Sequence, residues 1–201
     1  NNIHIEGINS IDRIDIKNAD ILGYKIKLLG FAELIDNKVY QRVHPTLIDN
    51  SSYIAGIDGV LNAVIINGEP VGESIIQGEG AGPAATTSAL VSDISSILRG
   101  NVKFPFSISN KERKKLYFSN LKERSFSAYL RFEVHDKPGV LSNITNIFSR
   151  NRVSIKRLIQ NPNKSKKYSS IVIITHKSKD KFLNQIIRQT SQKSYIKSKP
   201  K

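Results

Sequence analysis

Three alternating glycines, Gly78, Gly80 and Gly82, are the feature that most constrains what this chain can form. An apolar strand pattern precedes them, and a helix that begins with small residues is predicted over 85–99. Glycine lacks a Cβ and adopts positive φ, so such a turn lets the backbone approach a ligand closely. A turn that opens a helix also presents free N–H groups and the positive end of the helix dipole. The pattern therefore fits a loop that covers a polar cofactor group, and it fits equally a tight strand-to-helix turn without a ligand.

Length and composition limit the class of protein. The 201 residues are enough for one large domain or two small ones. The chain starts at Asn1 and contains no Met, so we expect it to be a piece of a longer or processed protein. It contains no Cys, which excludes disulfides and cysteine-ligated metals. No apolar run approaches the roughly 18 residues of a membrane span, and we expect a cytoplasmic protein without a membrane partner.

The net charge of +14 is unevenly distributed. Residues 1–105 carry 8 Lys and Arg against 12 Asp and Glu, whereas residues 106–201 carry 23 against 5. A basic half of this kind is compatible with nucleic-acid binding. However, its lysines are scattered, and no basic strand carries interleaved aromatic residues as RNA-binding sheets do. We therefore predict a solvated basic surface with no nucleic-acid partner, and steeply salt-dependent binding would favour the alternative.

The first half reads as a mixed α/β unit whose strands are mainly antiparallel. A helix is predicted over 11–22, with Asp12 or Asp15 at its start and an inward face of Ile16, Ala19 and Leu22. Pro45 should end the second strand, because proline lacks a ladder donor. The helix after the glycine turn should face inward through Ala85, Ala89, Ile94 and Leu98. The predicted strands, the third of them buried, are 24–34, 39–44, 61–66 and 71–77.

The second half shows clearer periodicity. Residues 128–135 alternate apolar and polar side chains, and a turn, 136–139, leads into a helix with an apolar face at Leu141, Ile144, Ile147 and Phe148. Strands over 153–160 and 168–176 follow, and then a helix over 178–189 that Ser178 should cap. This β-α-β-β-α order lacks only a closing strand to be a ferredoxin-like sandwich. Because the tail is polar and rich in Lys, we expect that strand to be missing.

Several short motifs precede the glycine turn in the first half: Glu6-Gly7-Ile8, Ala19, Leu22-Gly23-Tyr24, Lys27-Leu28-Leu29-Gly30, Arg42 to Ile48, Gly59 to Val64 and Pro70-Val71-Gly72-Glu73. Taken in this order with the glycine turn, they resemble the C-terminal part of the catalytic region of homoserine dehydrogenase. The resemblance covers about residues 6 to 100, and the ordered set is far more specific than any single motif.

The second half contains three features in order: the strand 129–134, the Asp136-Lys137-Pro138-Gly139 turn into Val140-Leu141, and the apolar face of the helix that follows. With these features it resembles an ACT domain, a regulatory module that binds amino acids. The expected fold class is thus α+β or α/β, with a mixed-sheet remainder of the homoserine dehydrogenase substrate and dimerisation domain followed by a βαββα ACT domain without its last strand. The expected divisions are an incomplete catalytic domain over 1–105, a linker over 106–127 and the ACT-like domain over 128–201.

The resemblance implies NAD(P)-dependent interconversion of homoserine and aspartate 4-semialdehyde, in which the cofactor carries the hydride chemistry. It also implies a dinucleotide-binding domain and a substrate motif with Asp and Lys, both N-terminal to Asn1. We therefore expect no catalytic residue in this chain, no activity from it alone and a cofactor bound mainly by the missing part. The expected cofactor-binding residues here are Gly78, Gly80, Ala81 and Gly82.

For the ACT-like half, the resemblance implies an amino-acid effector, threonine first, bound at an interface between two such domains of a homo-oligomer. The expected effector-binding residues are Asp136, Gly139, Val140 and Leu141, because N–H groups at a helix start can take a carboxylate. A dimerising module without a ligand is the competing interpretation of this half. For the whole chain, the alternative is a non-enzymatic, amino-acid-sensing ACT protein.

The histidines suggest little chemistry. His44, before Pro45, has a side chain that can serve as a general base near neutral pH, but a structural role at a strand end is the more common one. His4, His135 and His176 are dispersed and have no metal-binding spacing, so we predict no metal.

Overall fold

The computed structural model describes residues 3–101, 108–119, 124–162 and 167–201. In the described residues it consists of β-strands of 2 to 12 residues and four α-helices. In chain order they are β1 (His4–Ile5), α1 (Arg13–Ile21), β2 (Tyr24–Ile35), β3 (Lys38–Asp49), β4 (Leu61–Gly68), β5 (Gly72–Glu79), α2 (Pro83–Leu98), β6 (Tyr117–Phe118), β7 (Ser125–Phe126), β8 (Tyr129–His135), α3 (Val140–Arg150), β9 (Ile155–Pro162), β10 (Tyr168–Thr175), β11 (Ser178–Lys179) and α4 (Asp180–Ser191).

The first sheet is built on the long antiparallel hairpin of β2 and β3. Asp36 and Asn37 both have positive φ, 49° and 59°, at the hairpin turn. Asp and Asn tolerate this conformation better than most residues, which explains why the chain reverses here. β1 pairs in parallel with β3 and so completes the order β1-β3-β2, and β6 pairs with the start of β3. The predicted hairpin is confirmed.

The prediction that Pro45 ends β3 is wrong, because the strand continues to Asp49 and Pro45 pairs with Leu28 of β2. Glu6 N–H donates to Val43 O at 2.8 Å, so the polar groups of Val43 face β1. The N–H and C=O groups of every second residue along a strand point to the same side. Pro45 lies two residues after Val43, so its nitrogen faces β1 and points away from β2. The missing N–H of proline thus costs no bond in the β2–β3 ladder.

Helix α1 lies where it was predicted, and two of the three residues expected to face inward, Ala19 and Leu22, are buried. The third, Ile16, is 57% exposed, whereas Asp15, which was not expected to face inward, is 1% exposed. Asp12 N–H donates to Asp15 Oδ2 at 2.9 Å at the start of the helix, and Gly23, with φ of 80°, follows its end. Asp15 is buried because of what lies opposite it, as described below.

The hairpin of β4 and β5 and the helix α2 form as predicted, but they are exposed. The hairpin turn lies at residues 69–71, after Asn67 and Gly68, which both belong to β4. The third predicted strand was expected to be buried, yet Val64 is 58% exposed. No residue of α2 is buried, and Ile94 and Leu98, expected to face inward, are 56% and 81% exposed. No other described element covers these apolar side chains.

The second half is an α/β sandwich with sheet order β8-β10-β9, all antiparallel, and α3 and α4 on one face. The predicted apolar face of α3 is confirmed, since Ile144, Ile147 and Phe148 are buried. Ser178 belongs to β11 rather than capping α4, which begins at Asp180. The core consists of Leu130, Phe132, Val134, Val140, Ile144, Ile147, Phe148, Val153, Ile171, Ile173, Leu183 and Ile186.

The polar tail lies along the outer edge of β8. It forms no regular strand in the described part of the chain, as expected, but it does pair with β8. His135 N–H donates to Tyr195 O at 2.9 Å, and Lys197 N–H donates to Glu133 O at 2.8 Å. The tail therefore takes the place of the closing strand without forming a regular strand in the described residues.

The segment between the halves is more ordered than a free linker. β6 pairs with β3, and β7 pairs with β11, so the segment is joined to both halves. The Arg124 guanidinium lies 4.7 Å from the ring centroid of Tyr40 and forms an ion pair with Glu33. The expected domain boundary at 105/106 falls outside the described residues, and the division itself stays a prediction.

Candidate functional site

The structure brings the four glycine-turn residues together at the end of β5. Gly80 N–H donates to Val60 O at 3.1 Å, which holds the turn against the start of β4. A Cβ at Gly80 would fall 1.6 Å from Asn62 Nδ2. Gly82, which precedes α2, has φ of 127°, a conformation that strains residues with a side chain. Glycine therefore has a different local reason at each position: close approach of the Asn62 side chain at Gly80 and backbone conformation at Gly82.

The start of α2 has fewer free backbone N–H groups than the glycine turn led us to expect. Pro83 is the first helical residue and has no N–H. The first intrahelical bond runs from Thr86 N–H to Gly82 O at 3.0 Å, so the N–H groups of Ala84 and Ala85 precede it. Residues 78–84 are exposed, and nothing lies within 4 Å of a Cβ built at Gly78 or Gly82. The turn thus offers an open backbone surface with two donors, which fits the approach of a polar cofactor group.

The predicted effector-binding residues of the second half line one cleft. Asp136, Gly139, Val140 and Leu141 lie along a cavity of about 470 Å³, between the end of β8 and the start of α3. Gln160 of β9 forms part of its opposite wall. Gln160 could not be recognised from the sequence as a residue of this cleft, because only the sheet order brings the end of β9 near the turn.

The backbone at the cleft favours an anion. Gly139 has φ of 84°, and the first full-turn helical bond runs from Asn143 N–H to its carbonyl at 2.9 Å. The N–H groups of Leu141 and Ser142 precede that bond and point out of the helix start. Asp136 N–H is already used, since it donates to Lys167 O at 3.1 Å. The arrangement can hold a carboxylate at the helix start and leaves the Asp136 carboxylate for a cation.

His44 lies within β3 rather than at the end of a strand, where the sequence had led us to expect it. His44 is half-buried, and its Nδ1 lies 2.7 Å from Pro45 O. Burial lowers the pKa of His44 below its ordinary value of 6.5, despite the hydrogen bond to Pro45 O. The His4 ring lies 6.4 Å from that of His44. Within the described ranges, no three His, Asp or Glu side chains group closely enough for a metal ion.

None of the helices in the described residues is both long and apolar enough to cross a membrane.

Comparisons with known proteins agree on one family for the first half and one for the second. The family model for homoserine dehydrogenase matches residues 1–95, and the model for the AHAS small subunit-like ACT domain matches residues 130–194. The chain is 37% identical over 190 residues to homoserine dehydrogenase from Neisseria gonorrhoeae, covering 92% of this chain and 44% of the relative. It is 33% identical to the Helicobacter pylori enzyme, covering 99% of this chain and 47% of the relative.

Solved structures give the same result. The homoserine dehydrogenase from Thiobacillus denitrificans superposes with a TM-score of 0.86 at 32% identity, covering 100% of this chain and 46% of that one. The enzyme from S. aureus superposes with a TM-score of 0.62 at 27% identity, covering 98% and 46%. The chain thus spans less than half the length of the relatives it matches. It joins a domain of the homoserine dehydrogenase family to an ACT domain of the AHAS small subunit-like type.

Proposed function

We propose that this chain works as part of an NAD(P)-dependent homoserine dehydrogenase that interconverts homoserine and aspartate 4-semialdehyde. The observation that carries the proposal is the family relationship over both halves, in the same order along the chain. The nicotinamide cofactor supplies the hydride chemistry, and the residues of this chain would bind, orient and exclude water. On the same family relationship we propose a cytoplasmic location and a homo-oligomer. The exposed apolar side chains of β4, β5 and α2 support an assembled state.

The glycine turn would contact the cofactor through its backbone. Gly78, Gly80, Ala81 and Gly82 are exposed, and the N–H groups that follow them have no intrahelical acceptor. The test uses the full-length enzyme. Gly78→Val should raise the KM for the cofactor, because the added side chain has room in the protein but would occupy the space of the ligand.

The matched control is Gly68→Val at the other end of the same hairpin, which also has open space around its Cβ. It should leave the KM for the cofactor unchanged. Gly82→Val is a second variant, in which the side chain would obstruct the cofactor in the same way and would also strain the backbone. An unchanged KM in both turn variants would remove the turn from the cofactor site.

The cleft of the second half would bind an amino-acid effector, with threonine as the first candidate. The helix start offers donors for the carboxylate, and Asp136 offers a carboxylate for the ammonium group. β9 pairs only with β10 in the described part of the chain, so its outer edge is available to a second copy. A site at an interface between two such domains is therefore compatible with the sheet order.

Threonine should raise the melting temperature of the protein, since a ligand that binds the folded state stabilises it. Asp136→Asn should abolish that rise, whereas Asp36→Asn, at the exposed β2–β3 turn, should keep it. No rise at millimolar threonine would count against the effector site. Threonine binding by a full-length protein without dehydrogenase activity would instead support an amino-acid sensor.

A further inference from the structure

A buried ion pair joins the two halves. Asp15 of α1 is 1% exposed and Arg131 of β8 is 6% exposed, although they lie 116 residues apart in the chain. Arg131 Nε lies 2.6 Å from Asp15 Oδ1, and Arg131 Nη2 lies 3.1 Å from Asp15 Oδ2. Such a two-point contact between guanidinium and carboxylate fixes orientation as well as distance. The polar face of α1 is buried because this partner lies opposite it.

Further polar groups complete the contact. Tyr129 OH donates to Asp15 Oδ1 at 2.8 Å, and Asp12 accepts from Arg131 Nη2 at 2.7 Å. Glu133 accepts from Arg131 Nη1 at 2.8 Å. Burial alone would lower the pKa of Arg131, but the hydrogen bonds with Asp15 and the other acids raise it, so the guanidinium stays charged. We call this set of residues the Asp15–Arg131 junction.

The junction lies on the strand that leads into the cleft. Arg131 and Glu133 point towards α1, while Leu130, Phe132 and Val134 point into the core beneath α3 and α4. β8 ends at His135, and the cleft residues 136–141 follow at once. A displacement of the turn at the cleft therefore acts on a rigid strand whose other face is attached to α1.

The contact between the halves is not a well-filled core. In its apolar part only Leu22, Val172 and Ile174 are fully buried, and the residues packed against them are partly exposed: Tyr24, Leu47, Tyr129 and Ile159. Asn18 Nδ2 and Ser170 Oγ are buried beside the junction without a hydrogen-bond partner in the described residues. Buried ion pairs contribute little net stability, because desolvation offsets their attraction. Polar interfaces between domains of one chain commonly permit relative motion.

The geometry points to the Asp15–Arg131 junction as the contact that transmits effector binding from the cleft to the homoserine dehydrogenase half. This inference rests on the proposed effector site. A ligand at the start of α3 shifts β8 relative to α1, and the ion pair converts that shift into a change in the position or stability of α1. Coupling of this kind is reciprocal, so loosening the junction also changes the affinity of the cleft.

The test is hydrogen–deuterium exchange of the full-length protein with and without threonine. In the unaltered protein, amides at the cleft and amides of α1 should both change their exchange rates on binding. We expect the exchange rates of the α1 amides to change by a factor on the order of five or more, which is the lower end of typical coupling between two sites. Tyr129→Phe removes one hydrogen bond to Asp15 with little change of shape and should weaken the response of α1. Asp15→Asn should abolish it while the cleft still responds.

Asp20→Asn is the matched control, since it makes the same charge change on the exposed face of α1. It should leave both responses unchanged. An α1 response that persists in Asp15→Asn and Tyr129→Phe would overturn the role of the junction and leave the effector site in place. No response at the cleft of the unaltered protein would overturn both the effector site and the junction's role.

Discussion

Gly80 lies so close to Asn62 that a Cβ at residue 80 would fall 1.6 Å from Asn62 Nδ2. The contact joins the two strands of the β4–β5 hairpin at the end where α2 begins. It explains the glycine at position 80 by close approach, whereas Gly82 is explained by its positive φ of 127°. The two positions should therefore respond differently to the same substitution.

Gly82→Ala should destabilise the folded protein by about 1 to 3 kcal/mol, because a side chain there strains the backbone. Gly80→Ala should cost less than about 1 kcal/mol, because the atom it meets is the end of an exposed side chain that can rotate away. Urea denaturation of both variants measures the difference. The double variant with Asn62→Ala should recover the cost at position 80 and not at position 82. Equal costs would mean that the turn has another conformation.

Arg131→Met should destabilise the protein by about 3 to 5 kcal/mol, because it leaves the Asp15 carboxylate buried without its partner. The double variant Asp15→Leu/Arg131→Met should be clearly more stable than either single variant, since it removes both charges. Denaturation curves of the three variants form a double-mutant cycle. Additive losses would show that the two side chains do not interact in the folded protein.

Phe132→Ala should cost about 3 to 5 kcal/mol. The ring is fully buried and packs edge-on against Phe148, with centroids 6.2 Å apart. Phe31→Ala, at a ring that is 42% exposed, should cost far less. Thermal unfolding of the two variants makes the comparison. Similar losses would place the core elsewhere.

Stability should rise with pH through the window in which His44 titrates. Burial lowers the pKa of His44 in the folded protein below its ordinary value of 6.5. As pH falls below about 6.5, the unfolded chain takes up a proton at this imidazole before the folded protein does, so stability is lost. His44→Gln should flatten this part of the pH profile of stability. An unchanged profile in His44→Gln would contradict the burial of this ring.

Local rules predicted much of the fold, and contacts between distant residues decided the rest. The face of α3 follows from spacing alone, because Ile144, Ile147 and Phe148 meet an apolar sheet. The burial of Asp15 on α1 does not, because this carboxylate is buried against Arg131, which lies 116 residues away in the chain. Pro45 was expected to end its strand, but the strand continues because the proline nitrogen faces β1 and not β2. β1 has only two residues and is too short to be recognised from the sequence.

The candidate sites show the same limit. The turn at Asp136 was recognisable because its residues are contiguous, and the structure places all of them along one cleft. Gln160 joins that cleft only through the sheet order, which spacing does not reveal. The inward face expected for α2 stays exposed, since no described element covers it.

The most direct test of the central claim is an assay of the full-length protein for homoserine-dependent reduction of NAD or NADP. We expect reduction that requires homoserine and occurs with at least one of the two cofactors, and we expect its rate to change when threonine is added. A folded full-length protein that reduces neither cofactor in the presence of homoserine would contradict this claim.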